Sequence, residues 1–433
     1  MSMDNKPKVL IVGAGLGGLM LGALLEKSSV PYTIFERATT VKSFGSAMSI
    51  GPALLPLFRQ LGIYEDLVAI GKYLSYMTDF NETRQGLQPL RPMDMRPIEE
   101  LTGYAYYIVA RPKLYDLLLK LVPADKIHFG NRVLNITEEE DKVTVHLSNN
   151  GTFEGDIVVG ADGAYSAVRQ RMYEQLKAKG ELPLSDQEEL PFSTTCLVGQ
   201  TKVLDPKEFP VVAIKAAMEQ RFRDTNNSEW GDHPAQTMCD ETRNFPILLG
   251  NGKTGTMGDL YDATPKEFIS KVMLEEKVFD TWHHGRCVLI GDACHKLNPA
   301  GGHGAVTAMH DAITLANLLY AMPTNTSSDF TRIFEEYHKE RHPPALYSYD
   351  YSRQLAKRTE RGWLSMLYSF FILNMPMWLW RLALVRPVRF RPQAAFLVPI
   401  EDNAAAPAVI LPSEQKARAV FKKQQQANAA TSI

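Results

Sequence analysis

The stretch "KVLIVGAGLGGLMLGALLEKSSVPYTIFERA", residues 8–38, joins an apolar run, a glycine-rich turn and two further segments of regular pattern. The apolar run predicts a buried strand over Val9–Val12, and the mostly apolar segment after the glycines predicts a helix over Leu16–Lys27. The β-branched and aromatic residues that follow predict a second strand over Tyr32–Phe35. Strands that alternate with helices in this way are typical of an α/β protein with a parallel sheet.

The turn between the first strand and the helix carries Gly13, Gly15 and Gly18 in the pattern G-x-G-x-x-G. Gly13 permits the tight turn, Gly15 lets the backbone approach a pyrophosphate, and Gly18 lets the helix pack on the strand. Glu36 ends the second strand, where it can hydrogen-bond ribose hydroxyls. An ordinary tight turn is the alternative, but the strand, helix, second strand and terminal acid together favour a Rossmann-type dinucleotide-binding fold.

Composition and charge exclude several other classes of protein. The chain has 433 residues and a net charge of −2, and no basic block indicates a nucleic-acid surface. Its four cysteines are scattered, so neither a zinc ribbon nor a disulfide framework is indicated. His338 and His342 are one helical turn apart, but no third ligand is evident, and we predict no metal site. The N-terminus has no apolar run of signal-peptide length, which predicts an intracellular protein, either cytoplasmic or peripherally attached to a membrane.

Two later stretches repeat the pattern of a buried strand that runs into glycines. In "GDIVVGADGAYSAVRQRM", residues 155–172, a strand over Ile157–Val159 leads into Gly-Ala-Asp-Gly and a helix that opens at Ser166. Here a simple strand–turn–helix corner with Asp162 as a helix cap is the alternative. In "GDACHKLNPAGGHGA", residues 291–305, the glycines follow a strand predicted over Cys287–Ile290. Such glycine-dense backbone indicates that something other than side chains comes close.

The three motifs in this order resemble the FAD-dependent aromatic hydroxylases, the p-hydroxybenzoate hydroxylase-like flavoprotein monooxygenases. The stretches "GDACHKLNPAGGHGAVTAMHDAITLANLL", residues 291–319, and "EEKVFDTWHHGR", residues 275–286, resemble most the fungal secondary-metabolism branch that acts on meroterpenoid and other prenylated substrates. The resemblance covers roughly residues 7–345. It implies an α/β Rossmann-type FAD-binding fold, with an inserted small α+β substrate domain and a helical C-terminal extension.

The resemblance also implies roles for individual residues. Asp292 should hydrogen-bond the ribitol chain of FAD, and Arg111 should contact the diphosphate or the ribityl region. Asp162 should serve both FAD and a transiently bound NADPH. In full, the cofactor-binding residues expected are Gly13, Gly15, Gly18, Glu36, Ala47, Gly51, Arg111, Asp162, Asp292, Gly302 and Ala305. Covalent attachment of flavin through Cys294 or His295 stays open as an alternative to packing roles, and no catalytic residue is assigned.

The function implied is NAD(P)H-dependent monooxygenation, in which one atom of O₂ enters a small lipophilic aromatic or prenylated substrate by hydroxylation or epoxidation. Because only one G-x-G-x-x-G turn stands between a predicted strand and a helix and has an acid at the end of the next strand, NADPH is expected to bind only transiently, as a co-substrate. Two other functions remain open: a flavin reductase or oxidase that acts on prenyl chains, and an inactive binding protein on the same fold.

The predicted domains are residues 1–172 and 283–345 for FAD, residues 173–282 for substrate, and residues 346–433 as a helical extension with a disordered end. The substrate region looks abbreviated, since strand-like runs occur only at residues 192–203, 209–214 and 245–249.

The extension contains a long apolar segment, "WLSMLYSFFILNMPMWLWRLALV", residues 363–385. Its length would allow a membrane span, its three tryptophans favour a membrane interface, and basic residues flank it on both sides. Packing against the FAD domain or a second copy is the alternative. Deletion of residues 360–433 is therefore expected to release the protein from membranes, and because the cofactor motifs end by Leu319 it is expected to leave FAD bound.

Overall fold

The structure is a computed structural model that describes residues 6–40, 47–83, 86–89, 93–199, 201–202, 204–205, 214–215, 234–248, 254–357, 375–401 and 405–431. Its strands are β1 Val9–Val12, β2 Tyr32–Glu36, β3 Ala47–Ile50, β4 Lys72–Leu74, β5 Tyr76–Thr83, β6 Gly86–Pro89, β7 Met93–Asp94, β8 Tyr106–Ala110, β9 Ile127–Phe129, β10 Val133–Glu138, β11 Val143–Leu147, β12 Thr152–Gly155, β13 Ile157–Gly160, β14 Phe192–Val198, β15 Ile214–Lys215, β16 Pro246–Leu248, β17 Thr254–Thr256, β18 Ser270–Glu275, β19 Lys277–Val278, β20 His283–His284, β21 Cys287–Leu289 and β22 His295–Lys296. Its helices are α1 Leu16–Ser28, α2 Leu55–Leu61, α3 Tyr64–Ile70, α4 Arg96–Thr102, α5 Arg111–Leu119, α6 Ala167–Lys179, α7 Leu184–Gln187, α8 Pro234–Thr242, α9 Met257–Asp262, α10 Gly304–Ala321, α11 Ser327–Lys357, α12 Met377–Val388 and α13 Pro412–Thr431.

A six-stranded sheet in the order β20-β21-β13-β1-β2-β9 forms the centre of the molecule, and only β20 runs antiparallel to its neighbour. The four residues of β1 are all buried, as are the four of β13. Strands that are covered on both faces are expected to read as continuous apolar runs rather than as alternating ones. Helix α1 packs against α10 on this sheet. The predicted Rossmann-type α/β fold is confirmed.

Smaller sheets surround the central one. Strands β10, β11 and β12 form an antiparallel sheet beside α6, and β3, β8 and β4 form another. In the predicted substrate region, β14 pairs antiparallel with β18, with Cys196 opposite Val272. The strand predicted over 192–203 therefore exists over its first part, and that at 245–249 exists as β16. Of the strand predicted over 209–214, all but the last residue lies outside the described residues.

The C-terminal region belongs to the core of the molecule. Helix α13 packs against α10, and Ala394, Phe396 and Ala417 are buried in the main hydrophobic cluster. The buried Asn317 on α10 donates to Gln393 O at 2.9 Å and accepts from Ala395 N at 2.9 Å. The tail predicted to be disordered is thus a helix as far as Thr431, since its small residues pack on α10.

The predicted domain boundary between residues 345 and 346 falls inside α11, which continues through Pro343 and Pro344. In the apolar segment 363–385, residues 363–374 lie outside the described residues. Residues 377–385 form the first nine residues of α12. Leu384 and Val388 on α12 pack against Ile98 of α4, while Trp378 and Leu382 are 69% and 64% exposed. Across the described ranges, no helix has both the length and the hydropathy needed to cross a membrane.

Candidate functional site

A cavity of about 790 Å³ opens where β1, β2, β13 and β21 end. Carboxyl ends of parallel strands are where open α/β sheets bind ligands. The lining includes nine of the predicted cofactor residues: Gly13, Gly15, Glu36, Ala47, Arg111, Asp162, Asp292, Gly302 and Ala305. The fold therefore brings together, at one cavity, residues that are up to 292 positions apart in the chain.

The glycines of the first turn are required for different reasons. Gly13 has a φ of +107°, and a Cβ there would collide with the carbonyl of Ala161 on the neighbouring loop. A Cβ on Gly15 would meet no protein atom within 4 Å and would project into the cavity. Gly18 does not line the cavity, because it packs against the backbone of Gly13. The turn is thus shaped to leave space for a ligand at Gly15.

Glu36 is fixed at the end of β2 by two backbone groups. Its carboxylate accepts from Ala14 N and from Ala38 N, each at 2.9 Å. These bonds hold the acid against the glycine turn, and each carboxylate oxygen can accept a further hydrogen bond. The position suits recognition of ribose hydroxyls beside a bound pyrophosphate.

The second motif places Asp162 in the turn that follows β13, the strand next to β1. Its Oδ2 accepts from Ala167 N at 2.7 Å and from Val168 N at 3.3 Å, which caps helix α6. Its Oδ1 is buried and has no hydrogen-bond partner in the described part of the chain. Burial raises the pKa of this carboxyl. A buried polar atom without a partner at a cavity wall indicates a place for a ligand group.

Arg169 ties the second motif to the third. Its guanidinium donates to Ala293 O at 2.6 Å and to Ala164 O, and it lies over the Phe279 ring at 4.1 Å from the centroid. The helix opens at Ser166 as predicted, and the Ser166 hydroxyl caps it by accepting from Arg169 N at 2.9 Å. One buried side chain thus fixes the spacing of two cofactor loops.

The third motif brings Asp292 to the far side of the cavity. Gly291 turns the chain with a φ of +62°, and Asp292 Oδ2 accepts from Lys296 Nζ at 2.6 Å. Gly302 has a φ of +67° and precedes the N-terminus of α10, where Ala305 lies. This arrangement presents backbone N–H groups and a helix dipole to the cavity.

Gly51, which the sequence assigned to the cofactor, and Cys294 and His295, for which covalent attachment was left open, all lie outside the cavity lining. Gly51 does not line the cavity, because it packs under the ring of Tyr106, which leaves no room for a Cβ. Cys294 and His295 do not line it either, since both are fully buried behind the loop. The alternative of covalent flavin attachment through these two residues therefore has no geometric support.

A buried polar cluster lies behind the third motif. Asp311 accepts from His295 Nε2 at 2.6 Å, from Arg341 Nε at 2.8 Å and from Gly291 N at 2.9 Å. Burial raises the pKa of Asp311, but the His295 and Arg341 charges outweigh it and hold this pKa below its usual range. Ligand atoms of Cys294, His295 and Asp311 lie within 4.8 Å of one another, yet the carboxylate is already occupied and burial holds the pKa of the Cys294 thiol well above its usual range. The cluster therefore positions the loop of Gly291.

Sequence reasoning did not find the residues that roof the cavity. Cys196 and Val198 on β14, with Val272 and Leu274 on β18, line it from the predicted substrate region. Tyr165 donates to Glu275 and so ties this roof to the second motif. Successive side chains of β14 and β18 point to opposite faces of their sheet, but only the pairing of the two strands shows which face lines the cavity. Lys296, inside the third motif, was also missed.

Comparison with known proteins gives a family. Residues 6–350 match the family described as FAD binding domain. The 6-hydroxynicotinate 3-monooxygenase of Bordetella bronchiseptica is 27% identical over 83% of this chain and 91% of that protein. The FAD-dependent monooxygenase paxM of Penicillium paxilli is 27% identical over 81% of this chain and 78% of that protein.

Solved structures show the same fold. Klebsiella pneumoniae HpxO, complexed with FAD and uric acid, aligns with a TM-score of 0.65 at 20% identity, over 89% of this chain and 97% of that one. The tetracycline destructase Tet(51) aligns with a TM-score of 0.61 at 17% identity, over 85% of this chain and 95% of that one.

Proposed function

The chain belongs to the FAD-binding domain family, and from that membership we propose that it is an NAD(P)H-consuming monooxygenase that inserts one oxygen atom into a lipophilic aromatic or prenylated substrate. One observation carries the proposal: the cavity that collects the three glycine motifs is continuous with the apolar roof of β14 and β18. Such a cavity suits a dinucleotide that meets an apolar substrate. Relatives named as FAD-dependent monooxygenases support the reaction type.

The residues of the cavity fit FAD. The open space at Gly15 and the helix N-terminus behind it would take the pyrophosphate. Glu36 would accept from ribose hydroxyls, Asp292 from the ribitol chain, and the unpartnered Oδ1 of Asp162 from a further hydroxyl or amide. Arg111, at the start of α5, would offset the phosphate charge.

Bound FAD would supply hydride acceptance from the nicotinamide cofactor and activation of O₂, and the chain supplies orientation and electrostatics. Backbone N–H groups at the start of α10 would stabilise negative charge at the edge of the flavin. The apolar roof side chains would cover the substrate and limit its contact with water. Because the chain offers one glycine turn with one acid, NADPH would share the cavity mouth rather than occupy a second dedicated site.

Turnover by the holoprotein tests the reaction. Purified protein reconstituted with FAD is incubated with NADPH, or with NADH, and a panel of prenylated phenols under isotopically labelled O₂. We expect oxidation of the nicotinamide that is stimulated by substrate, and a product that carries one labelled oxygen atom. Hydrogen peroxide without any oxygenated product across the panel would favour the reductase or oxidase alternative. A protein that cannot take up FAD would remove the basis of the proposal.

We further infer that α12 contacts a membrane surface, which would suit a lipophilic substrate. Trp378 and Leu382 on its exposed face support this inference. The double substitution Trp378→Gln and Leu382→Gln should reduce co-sedimentation with vesicles and leave the melting temperature unchanged. Equal sedimentation of the variant and the natural protein would refute it.

A further inference from the structure

The end of helix α11 packs against the glycine-rich loop of the third motif. Tyr351 stacks on His303, with ring centroids 5.4 Å apart and an angle of 15° between the ring planes. Ser352, the next residue, is fully buried, and its Oγ occupies the space that a Cβ on Gly301 would need. Two neighbouring side chains of α11 thus contact two positions of the loop that precedes α10.

The other residues of this loop face the cavity. Pro299, Gly302 and Gly304 line it, whereas the two positions in contact with α11 do not. Gly302 N donates to Pro299 O at 2.9 Å, and the hydrogen bonds of α10 begin where Thr307 N donates to His303 O at 2.8 Å. The first N–H groups of a helix have no acceptor within it. The loop therefore lies between α11 and the place where those N–H groups would meet the flavin.

Two polar atoms at the contact between loop and helix have no partner in the part of the chain that the structure describes. They are Oγ of Ser352 and Nδ1 of His303, and both are buried. Burial lowers the pKa of His303, so its ring is neutral near pH 7 and adds no cation to the loop. Buried polar atoms without partners are rare in folded proteins and call for an explanation. A small displacement of the loop, imposed by a bound ligand, would bring both atoms into hydrogen bonds.

We propose that Tyr351 and Ser352 are positioning residues that hold this loop against bound FAD and thereby raise the reduction potential of the flavin. Neither side chain lines the cavity, so both act through the loop. Both also lie beyond residues 6–350, the part of the chain that matches the family. The proposal requires FAD binding, but it does not require that the protein oxygenates a substrate.

The direction of the effect follows from the charge of the flavin. Oxidised flavin is neutral, whereas flavin reduced by two electrons carries a negative charge at its pyrimidine edge. N–H groups that are held in place stabilise that charge more than they stabilise the neutral ring, because they need not reorient when the charge appears. A loop without its support from α11 loses part of this preference. Reduced FAD then binds less tightly relative to oxidised FAD, and the reduction potential falls.

Reduction potentials of FAD-loaded variants, measured by equilibration with a reference dye, test the proposal without turnover. Tyr351→Leu removes the ring that stacks on His303. We expect a roughly tenfold loss of affinity for reduced relative to oxidised FAD, which lowers the potential by about 30 mV for a two-electron couple. Tyr351→Phe keeps the ring and should keep the natural potential. Ser352→Ala removes only the hydroxyl and should lower the potential as well.

Tyr347→Leu is the matched control, because Tyr347 is 66% exposed and stacks on Tyr351 at 6.3 Å, not on the loop. Its potential should equal that of the natural protein. Equal potentials in Tyr351→Leu and Tyr347→Leu would overturn the proposal. Fluorescence titration with oxidised FAD gives the second readout, since an equal loss of affinity for both redox forms would indicate packing alone and would also overturn it.

Ser352→Ala decides the question if Tyr351→Leu no longer holds FAD. A lower potential in Ser352→Ala would then support the proposal, and the natural potential would refute it. A protein that shows these shifts yet never oxygenates a substrate would keep the positioning role and lose the proposed function. A natural protein that cannot bind FAD would lose both.

Discussion

The carboxylate of Asp292 accepts hydrogen bonds from two donors, one observed and one proposed. It accepts from Lys296 through Oδ2, and we propose that it also accepts from the ribitol chain of FAD. Asp292→Ala should weaken FAD binding roughly 10- to 100-fold, because a hydrogen bond to a charged group contributes about 1.5–3 kcal/mol. Fluorescence titration of the apoprotein with FAD measures the effect.

Asp141→Ala provides the control for this substitution. Asp141 is exposed in the turn between β10 and β11 and does not line the cavity. Its replacement should leave the dissociation constant of FAD unchanged. An Asp292→Ala protein that binds FAD as tightly as the natural one would show that the carboxylate has no contact with the cofactor.

Among single residues, the sequence could predict those whose role in the site depends on their immediate neighbours in the chain. Gly13 and Gly15 are required by the turn in which they stand, and Glu36 by its place at a strand end. Gly51 was assigned to the cofactor, but glycine is required there because the ring of Tyr106, 55 residues further along the chain, leaves no room for a Cβ. Lys296 was missed because nothing local distinguishes a cavity lysine from a surface one.

Helix α11 and strand β20 form a histidine cluster, defined as His283, His338 and His342 around Trp282. The ring centroids of His338 and His342 are 4.7 Å apart, and each is 5.4 Å from Trp282. Burial, with the charges of His338 and His284, lowers the pKa of His283 to about 4. Burial also lowers the pKa of His338 and of His342, although Asp280 opposes this for both.

The cluster predicts a loss of stability in acid. The folded protein holds His283 neutral. The contribution of His283 to the free energy of unfolding is therefore complete above the unfolded pKa of about 6.5 and is lost as the pH falls towards 4. The melting temperature should therefore drop across that window. His283→Phe keeps a ring against Phe334 and should make the drop shallower.

His146→Gln is the matched control for acid unfolding, since His146 lies on β11, hydrogen-bonds Thr137 and takes no part in the described ring contacts of the cluster. It should leave the pH dependence of the melting temperature as it is in the natural protein. If His283→Phe and His146→Gln melt with the same pH profile, the cluster does not set acid stability.

Whole elements were predictable where periodicity and turn residues agree. Strand β1 has the predicted bounds, and α1 and β2 each extend one residue past them. The roof could only be placed in part, since β14 and β18 are brought together by pairing across more than 70 residues of chain. No local pattern specifies that partner.

At the scale of the molecule, the C-terminal region is part of the FAD-binding unit. Deletion of residues 390–433 removes Phe396 and α13 from the core and leaves the buried amide of Asn317 without its two partners. Loss of a buried Phe costs about 1.5–3 kcal/mol, and an unpaired buried amide about 1–3 kcal/mol. The truncated protein should aggregate or lose FAD, contrary to the expectation from motif positions.

Deletion of residues 429–433 is the control, because residues 425–429 of α13 are exposed. That shorter protein should keep FAD and its melting temperature. A protein without residues 390–433 that stays soluble and yellow would show that α13 is dispensable. The sequence could not reveal this packing, since the tail is polar and joins the core through small residues such as Ala417 and Ser413.

The strand order of the central sheet has a consequence for synthesis on the ribosome. Strand β21 completes one side of the cavity, and it emerges roughly 275 residues after β1. At a translation rate of about 5–20 residues per second, the nascent chain waits roughly 15–55 s for that strand, and longer for α13. From the end of β13 to the start of β21, about 127 residues or roughly 6–25 s at the same rate, β13 presents an unpaired apolar edge, which chaperones recognise and which favours aggregation. Overproduction should therefore succeed best when translation is slow and chaperones are abundant, with FAD bound only after release.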